Sequence, residues 1–246
     1  VLEHIDRLVE IFNVCWPMYA AMPAVLKDAM LCSYEKCGWD LSESKNSYGR
    51  DLFPTFADLQ NELINVINNS GYSEEVKSNY IGSLVTRVKS LTNGINGQIF
   101  SGNEIGDALL FDENVIVDLS RIGSQETKSL IMGILIMRLN EYRSSCAKEA
   151  NSSLKHITVL EEAHNILKKC SQEQNMEGSN VAGKSVEMLS NSIAEMRTYG
   201  EGFIIVDQSP NAVDISAIRN TNTKVIMRLP EDGDRKVTGK SAAMKD

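Results

Sequence analysis

The chain has 246 residues, with 25 Lys and Arg against 33 Asp and Glu, a net charge of −8, 42% hydrophobic and 24% charged residues. This length accommodates one large domain or two small ones with ample core, and the composition is that of an ordinary soluble, cytoplasmic protein. The acidic balance argues against a globally basic, nucleic-acid-coating surface, no aliphatic run approaches the roughly 20 residues of a membrane span, and no export leader opens the chain.

Residues 1 to about 105 read as helical. Leu2, Ile5, Leu8, Val9 and Phe12 recur at helical spacing, and a second helix spans Pro23 to Leu31, with Pro23 suited to its first turn. A polar loop from Ser42 to Arg50 separates this pair from the next. Thr55-Phe56-Ala57-Asp58 has the pattern of a capping box, and Leu59, Leu63, Val66 and Ile67 continue an apolar face behind it. A fourth helix is expected from Ser73 to about Asn93, carrying Val76, Tyr80, Leu84, Val88 and Leu91.

The texture changes after Gly102. Val115-Ile116-Val117-Asp118-Leu119 reads as a short buried-type strand, and Gln125 to about Ser144 as a helix apolar over most of its surface. Strands are expected at 156–161, 203–207 and 224–229, with a helix from Ser185 to Tyr199 between the first two and a loop over Cys170 to Gly183. Strands alternating with helices predict a parallel sheet, hence an α/β class. Residue 1 is Val rather than Met and the chain stops in polar sequence after Gly239, so we expect both ends to be cut from a longer protein.

Chemistry concentrates where these strands end. The run His156-Ile157-Thr158-Val159-Leu160 closes on Glu161-Glu162, and Phe203-Ile204-Ile205-Val206-Asp207 closes on Gln208-Ser209-Pro210. Ligands of open α/β sheets bind beyond the carboxyl ends of the strands. Two carboxylates delivered there suit a hydrated Mg²⁺ and an attacking water, which is the layout of a nucleotide-hydrolysing site. The plain alternative is that acidic residues begin the next helix, where its dipole favours them. His164 is expected to pack or hydrogen-bond beneath such a site rather than act as a base.

Gly178-Ser179-Asn180-Val181-Ala182-Gly183-Lys184-Ser185 satisfies the phosphate-loop pattern GxxxxGK[ST], yet no aliphatic strand precedes it, so we read the match as accidental. Arg197 and Arg219 can be solvated surface charges or fingers inserted into a neighbouring subunit's site. The cysteines at 15, 32, 37, 146 and 170 form no paired framework; Cys32 and Cys37 with His4 lack a fourth metal ligand, and reduced thiols are the simpler account.

The segments ITVLEEAHNIL, SVEMLSNSIAEMRTYGEGFIIVDQSP and IRNTNTKVIMRLPEDGDR resemble the C-terminal half of HerA-like ATPases. That family is similar to FtsK and to the type IV secretion and conjugation ATPases. The resemblance is strong over about 154–236, moderate over 54–150 and weak before that. It implies a RecA-like parallel core, residues 106–246 being its C-terminal part and residues 1–105 a helical insertion. It further implies a homo-hexameric ring that uses ATP and Mg²⁺ to move or unwind DNA, with a nuclease as a possible partner.

In that reading Glu161 and Glu162 match the Walker B acidic pair, Glu161 supporting the metal through water and Glu162 orienting the nucleophilic water. Gln208 matches the residue that senses the γ-phosphate, and Arg197, preferred over Arg219, falls where related motors carry an arginine finger. Two departures stand out: Glu161 replaces the commoner Asp, and the family's first strand and phosphate loop are absent. This chain alone is therefore expected to be inactive. A secretion-type ATPase and a non-catalytic scaffold built on a degenerate ATPase fold remain the alternatives.

Overall fold

Helical periodicity in the first hundred residues becomes a stack of short helices. The computed structural model describes residues 1–49, 52–102, 104–147, 149, 151–170 and 181–243. The chain divides into two units, one made of Val1–Glu10 and Met18–Ile105, the other of Ile11–Pro17 and Gly106–Asp246.

In the first unit, α1 (Leu2–Cys15) contributes its first turns, followed by α2 (Met22–Lys36), α3 (Phe56–Asn69), α4 (Glu74–Tyr80), α5 (Thr86–Leu91) and α6 (Gly94–Ile99). Pro23 lies in the first turn of α2. Thr55 caps α3 in a reciprocal box: the Asp58 N–H donates to Thr55 Oγ1, and the Thr55 N–H donates to Asp58 Oδ2 at 2.8 Å. The helix expected from Ser73 to Asn93 is α4 and α5 joined by a π-helical turn, Ile81–Val85, with Ser73 as its cap. Leu26, Leu63, Ile67, Leu84 and Val88 have no exposed surface. Each such aliphatic side chain contributes roughly 1.5–3 kcal/mol by leaving water. A small antiparallel pair joins β1 (Trp39–Asp40), just before the expected polar loop, to β2 (Lys45–Asn46) within it. Hydrogen bonds from the Ser42 hydroxyl and the Glu43 amide close this turn on Asp40 and lower its pKa.

The second unit contains α7 (Asp107–Phe111), α8 (Gln125–Cys146), β3 (His156–Glu161), α9 (Val181–Glu195), β4 (Glu201–Val206), α10 (Ile215–Asn220) and α11 (Asp232–Ser241). Helix α8 buries residues around much of its circumference, among them Leu130, Ile131, Met132, Ile136, Met137 and Leu139. Gly133 lets this helix approach its neighbours, since a Cβ there would stand 2.6 Å from Ile11 Cγ2 and 3.2 Å from Ile166 Cδ1. Strands β3 and β4 pair in parallel, in register from His156 opposite Glu201 to Glu161 opposite Val206. Helices with a small parallel sheet are compatible with the α/β class.

Several expectations need correction. Val115–Leu119 and Lys224–Leu229 are not strands: neither forms a β ladder among the described residues, and Ile116 is 93% exposed. Their aliphatic side chains suit a sheet, yet a strand exists only where a neighbour takes up its N–H and C=O groups. The second expected strand begins two residues earlier and ends at Val206, leaving Asp207 just beyond it. Among the described residues helix α9 covers Val181–Glu195, and its continuation, Met196–Tyr199, tightens to a 3-10 turn. Of the loop expected over Cys170 to Gly183, residues 171–180 lie outside the described residues. Among the described residues no helix is long and apolar enough to cross a membrane.

Candidate active site at the carboxyl ends of the parallel strands

In β3 alternate residues point to opposite faces, so Leu160 is buried while Glu161, next along, is exposed. Glu162 then turns the chain. Its backbone adopts the left-handed conformation, φ 51 and ψ 48, which costs a non-glycine residue about 1–2 kcal/mol. The turn continues as a 3-10 helix, Ala163–Asn165, and is anchored by Ala163, Ile166 and Leu167, which have no exposed surface. Ser129 of α8 donates to the Asn165 carbonyl at 2.5 Å. The alternation of acidic and apolar letters in LEEAHNIL thus becomes exposed carboxylates on a buried pivot.

The chain leaving β4 comes to the same rim. Gln208 Nε2 lies 3.5 Å from Glu162 Oε1. Asp207 turns inward: its side chain is 6% exposed, Oδ1 accepts the Ser209 N–H, and Oδ2 accepts the His164 N–H at 2.8 Å and approaches His164 Nδ1 at 2.9 Å. His164 Nε2 stands 3.6 Å from Glu162 Oε2. Beyond the strands the two exit loops hold each other. Lys168 bridges Val213, the Lys169 N–H donates to the Ala212 carbonyl, and the Asp214 N–H donates to the Leu167 carbonyl, the last two at 2.8 Å.

The structure therefore brings Glu162 and Gln208 together and adds His164 and Asp207, while Glu161 is the last residue of β3, opposite Val206. It does not bring Arg197 to them. Arg197 lies exposed in the 3-10 turn before β4, at the amino-terminal rim, with a six-residue strand between it and the carboxyl ends. Arg219 is exposed on α10 and makes no ion pair among the described residues. Of the accidental phosphate-loop match, residues 178–180 lie outside the described residues, and Gly183, Lys184 and Ser185 sit in the first turns of α9.

Sequence reasoning missed Asp207 as a member of this cluster. The signal was a carboxylate at the end of an aliphatic strand, indistinguishable in sequence from a turn-forming Asp.

As a place for a divalent ion, the rim supplies hard carboxylate oxygens on exposed side chains, which suits Mg²⁺. No group of three or more His, Cys, Asp or Glu side chains positioned to hold a metal ion occurs among the described residues. Mg²⁺ does not require one, because it commonly takes one or two carboxylates, with waters and phosphate oxygens completing its shell.

No family model matches the chain, and no solved structure matches it. In an alignment 220 positions long that covers 80% of the chain, it is 24% identical to the DNA double-strand break repair helicase HerA of Sulfolobus acidocaldarius. The aligned region is 42% of that protein, so the chain spans less than half the length of the curated relative it matches. The likeness is distant, and it falls on the same family that the strand-end segments resemble.

Proposed function

We propose that this chain is the C-terminal part of an ATP-hydrolysing, HerA-like motor acting on DNA. The observation that carries the reading is the meeting of Glu162 and Gln208, 3.5 Å apart, at the carboxyl ends of paired parallel strands. The distant similarity to a repair helicase supports it. In this reading Glu161 holds the water shell of Mg²⁺, Glu162 orients the attacking water and Gln208 contacts the γ-phosphate. When bound, Mg²⁺ neutralises charge building on the phosphate oxygens.

Arg197, on the opposite rim from its own carboxylates, suits a finger that serves a neighbouring subunit in a homo-hexameric ring, with Arg219 as the alternative. DNA would pass through that ring, and a nuclease is a candidate partner. The RecA-like core is completed by polypeptide beyond this chain, which supplies the first strand and the phosphate loop. Two features support that completion. The aliphatic segments at 115–119 and 224–229 form no strand pairing among the described residues, and one face of the β3–β4 sheet exposes Ile157, Val159, Ile204 and Val206.

The test is Glu162→Gln in the full-length protein. ATP binding is expected to survive while turnover falls by roughly 100-fold or more, the scale of a lost general base. Hydrolysis at the unaltered rate would remove Glu162 from the mechanism.

A further inference from the structure

The Glu162 side chain is half exposed, and on its own a long carboxylate in water samples many directions. Here two side chains bracket it, and both are tied to the end of β4. Gln208 faces one oxygen at 3.5 Å, and His164 Nε2 faces the other at 3.6 Å.

The His164 ring is itself held. Asp207 Oδ2 receives both the main-chain N–H and Nδ1 of His164, so the ring and the turn that carries it lock onto a single oxygen. Asp207 Oδ1 is engaged by the Ser209 N–H, and the side chain is almost fully buried. Each ring nitrogen thus faces a carboxylate oxygen, Nδ1 that of Asp207 and Nε2 that of Glu162, and an imidazole nitrogen attracts a carboxylate only when it carries a proton. The left-handed backbone at Glu162 is part of this arrangement, because the turn it starts carries the His164 N–H to Asp207.

We propose that His164, braced by Asp207, is a positioning residue that sets the direction of the Glu162 carboxylate and couples it to the β4 strand end. This rests on the ATPase reading above. His164 itself is not assigned contact with nucleotide.

The experiment compares His164→Asn, His164→Gln and Glu162→Gln in the full-length protein, measuring kcat and KM for ATP hydrolysis and the melting temperature. Asn keeps an N–H close to where Nδ1 stood, and hence the bond to Asp207, but does not reach Glu162. Gln extends its amide nitrogen toward the former Nε2 position. A misdirected catalytic group costs up to about 100-fold, and with Gln208 still in place we expect roughly a tenfold fall in kcat for H164N. KM and melting temperature should stay unchanged, and H164Q should recover part of the loss.

Unaltered kcat in H164N, with E162Q inactive, overturns the inference and leaves the ATPase reading standing. A joint fall of kcat and melting temperature in both His164 variants, without recovery in H164Q, assigns His164 a purely structural role and also overturns it. Full turnover by E162Q overturns the ATPase reading and this inference together.

Discussion

Glu201 shows how much a single residue can hide from a sequence reader. In the primary structure it sits between two glycines and reads as part of a turn. In the fold it starts β4 with no side-chain exposure and accepts from Arg143 Nε at 2.8 Å and Thr158 Oγ1 at 2.7 Å, with His156 Nδ1 2.8 Å away. Arg143 also binds Asp112 Oδ1 at 2.6 Å and the Phe111 carbonyl. Burial alone would lower the Arg143 pKa, but its carboxylate partners raise it on balance, so the arginine stays charged. Asp112 is shifted the other way: hydrogen bonds from the Tyr142 hydroxyl and Arg143 hold its carboxyl below the usual range. Arg143→Ala would strand Glu201 without its counter-charge. We expect a loss of about 3–5 kcal/mol, read as a lowered denaturation midpoint, whereas replacing both partners by well-packed apolar residues should be close to neutral. An unchanged midpoint in Arg143→Ala would show that the pair is not held in solution.

At the level of elements, the β3–β4 pair depends on one glycine. Gly200 closes the 3-10 turn before β4 with φ 88, and a Cβ there would lie 2.4 Å from the Ser153 carbonyl oxygen. Its own carbonyl accepts the Lys155 N–H at 2.8 Å just ahead of β3. Gly200→Ala therefore combines an unfavourable backbone conformation with a clash against main chain. A destabilisation above about 1 kcal/mol is expected in a thermal melt, where an ordinary Gly→Ala change in an unstrained site would stabilise. The end of the helix at Tyr199 was legible in sequence because Gly200 follows it and punctuates a helix and a strand. The failures at 115–119 and 224–229 have the opposite cause: aliphatic composition reports readiness to pair, and pairing also needs a partner.

At the scale of the molecule, the chain aligns over 80% of its own length with only 42% of a repair helicase. If the phosphate-binding amides belong to polypeptide beyond these residues, the isolated 246-residue chain should neither hydrolyse ATP above background nor give a measurable calorimetric binding signal. Turnover by this chain alone that disappears in Glu162→Gln would mean that its own residues cradle the phosphates. The accidental phosphate-loop match would then need to be reconsidered first.

The linear chain determined the α3 capping box, the apolar girth of α8, the strands ending on Glu161 and near Gln208, and the resemblance to one ATPase family. All of these depend on neighbours in sequence or on local periodicity. Tertiary structure alone decided that β3 and β4 lie side by side, that Asp207 and His164 join the acidic rim, that Arg197 stands at the other end, and that Glu201 is a buried counter-ion. Those relations join residues about 40 to 60 positions apart, where sequence carries no distance information, and they follow from burying aliphatic surface while every enclosed charge finds a partner.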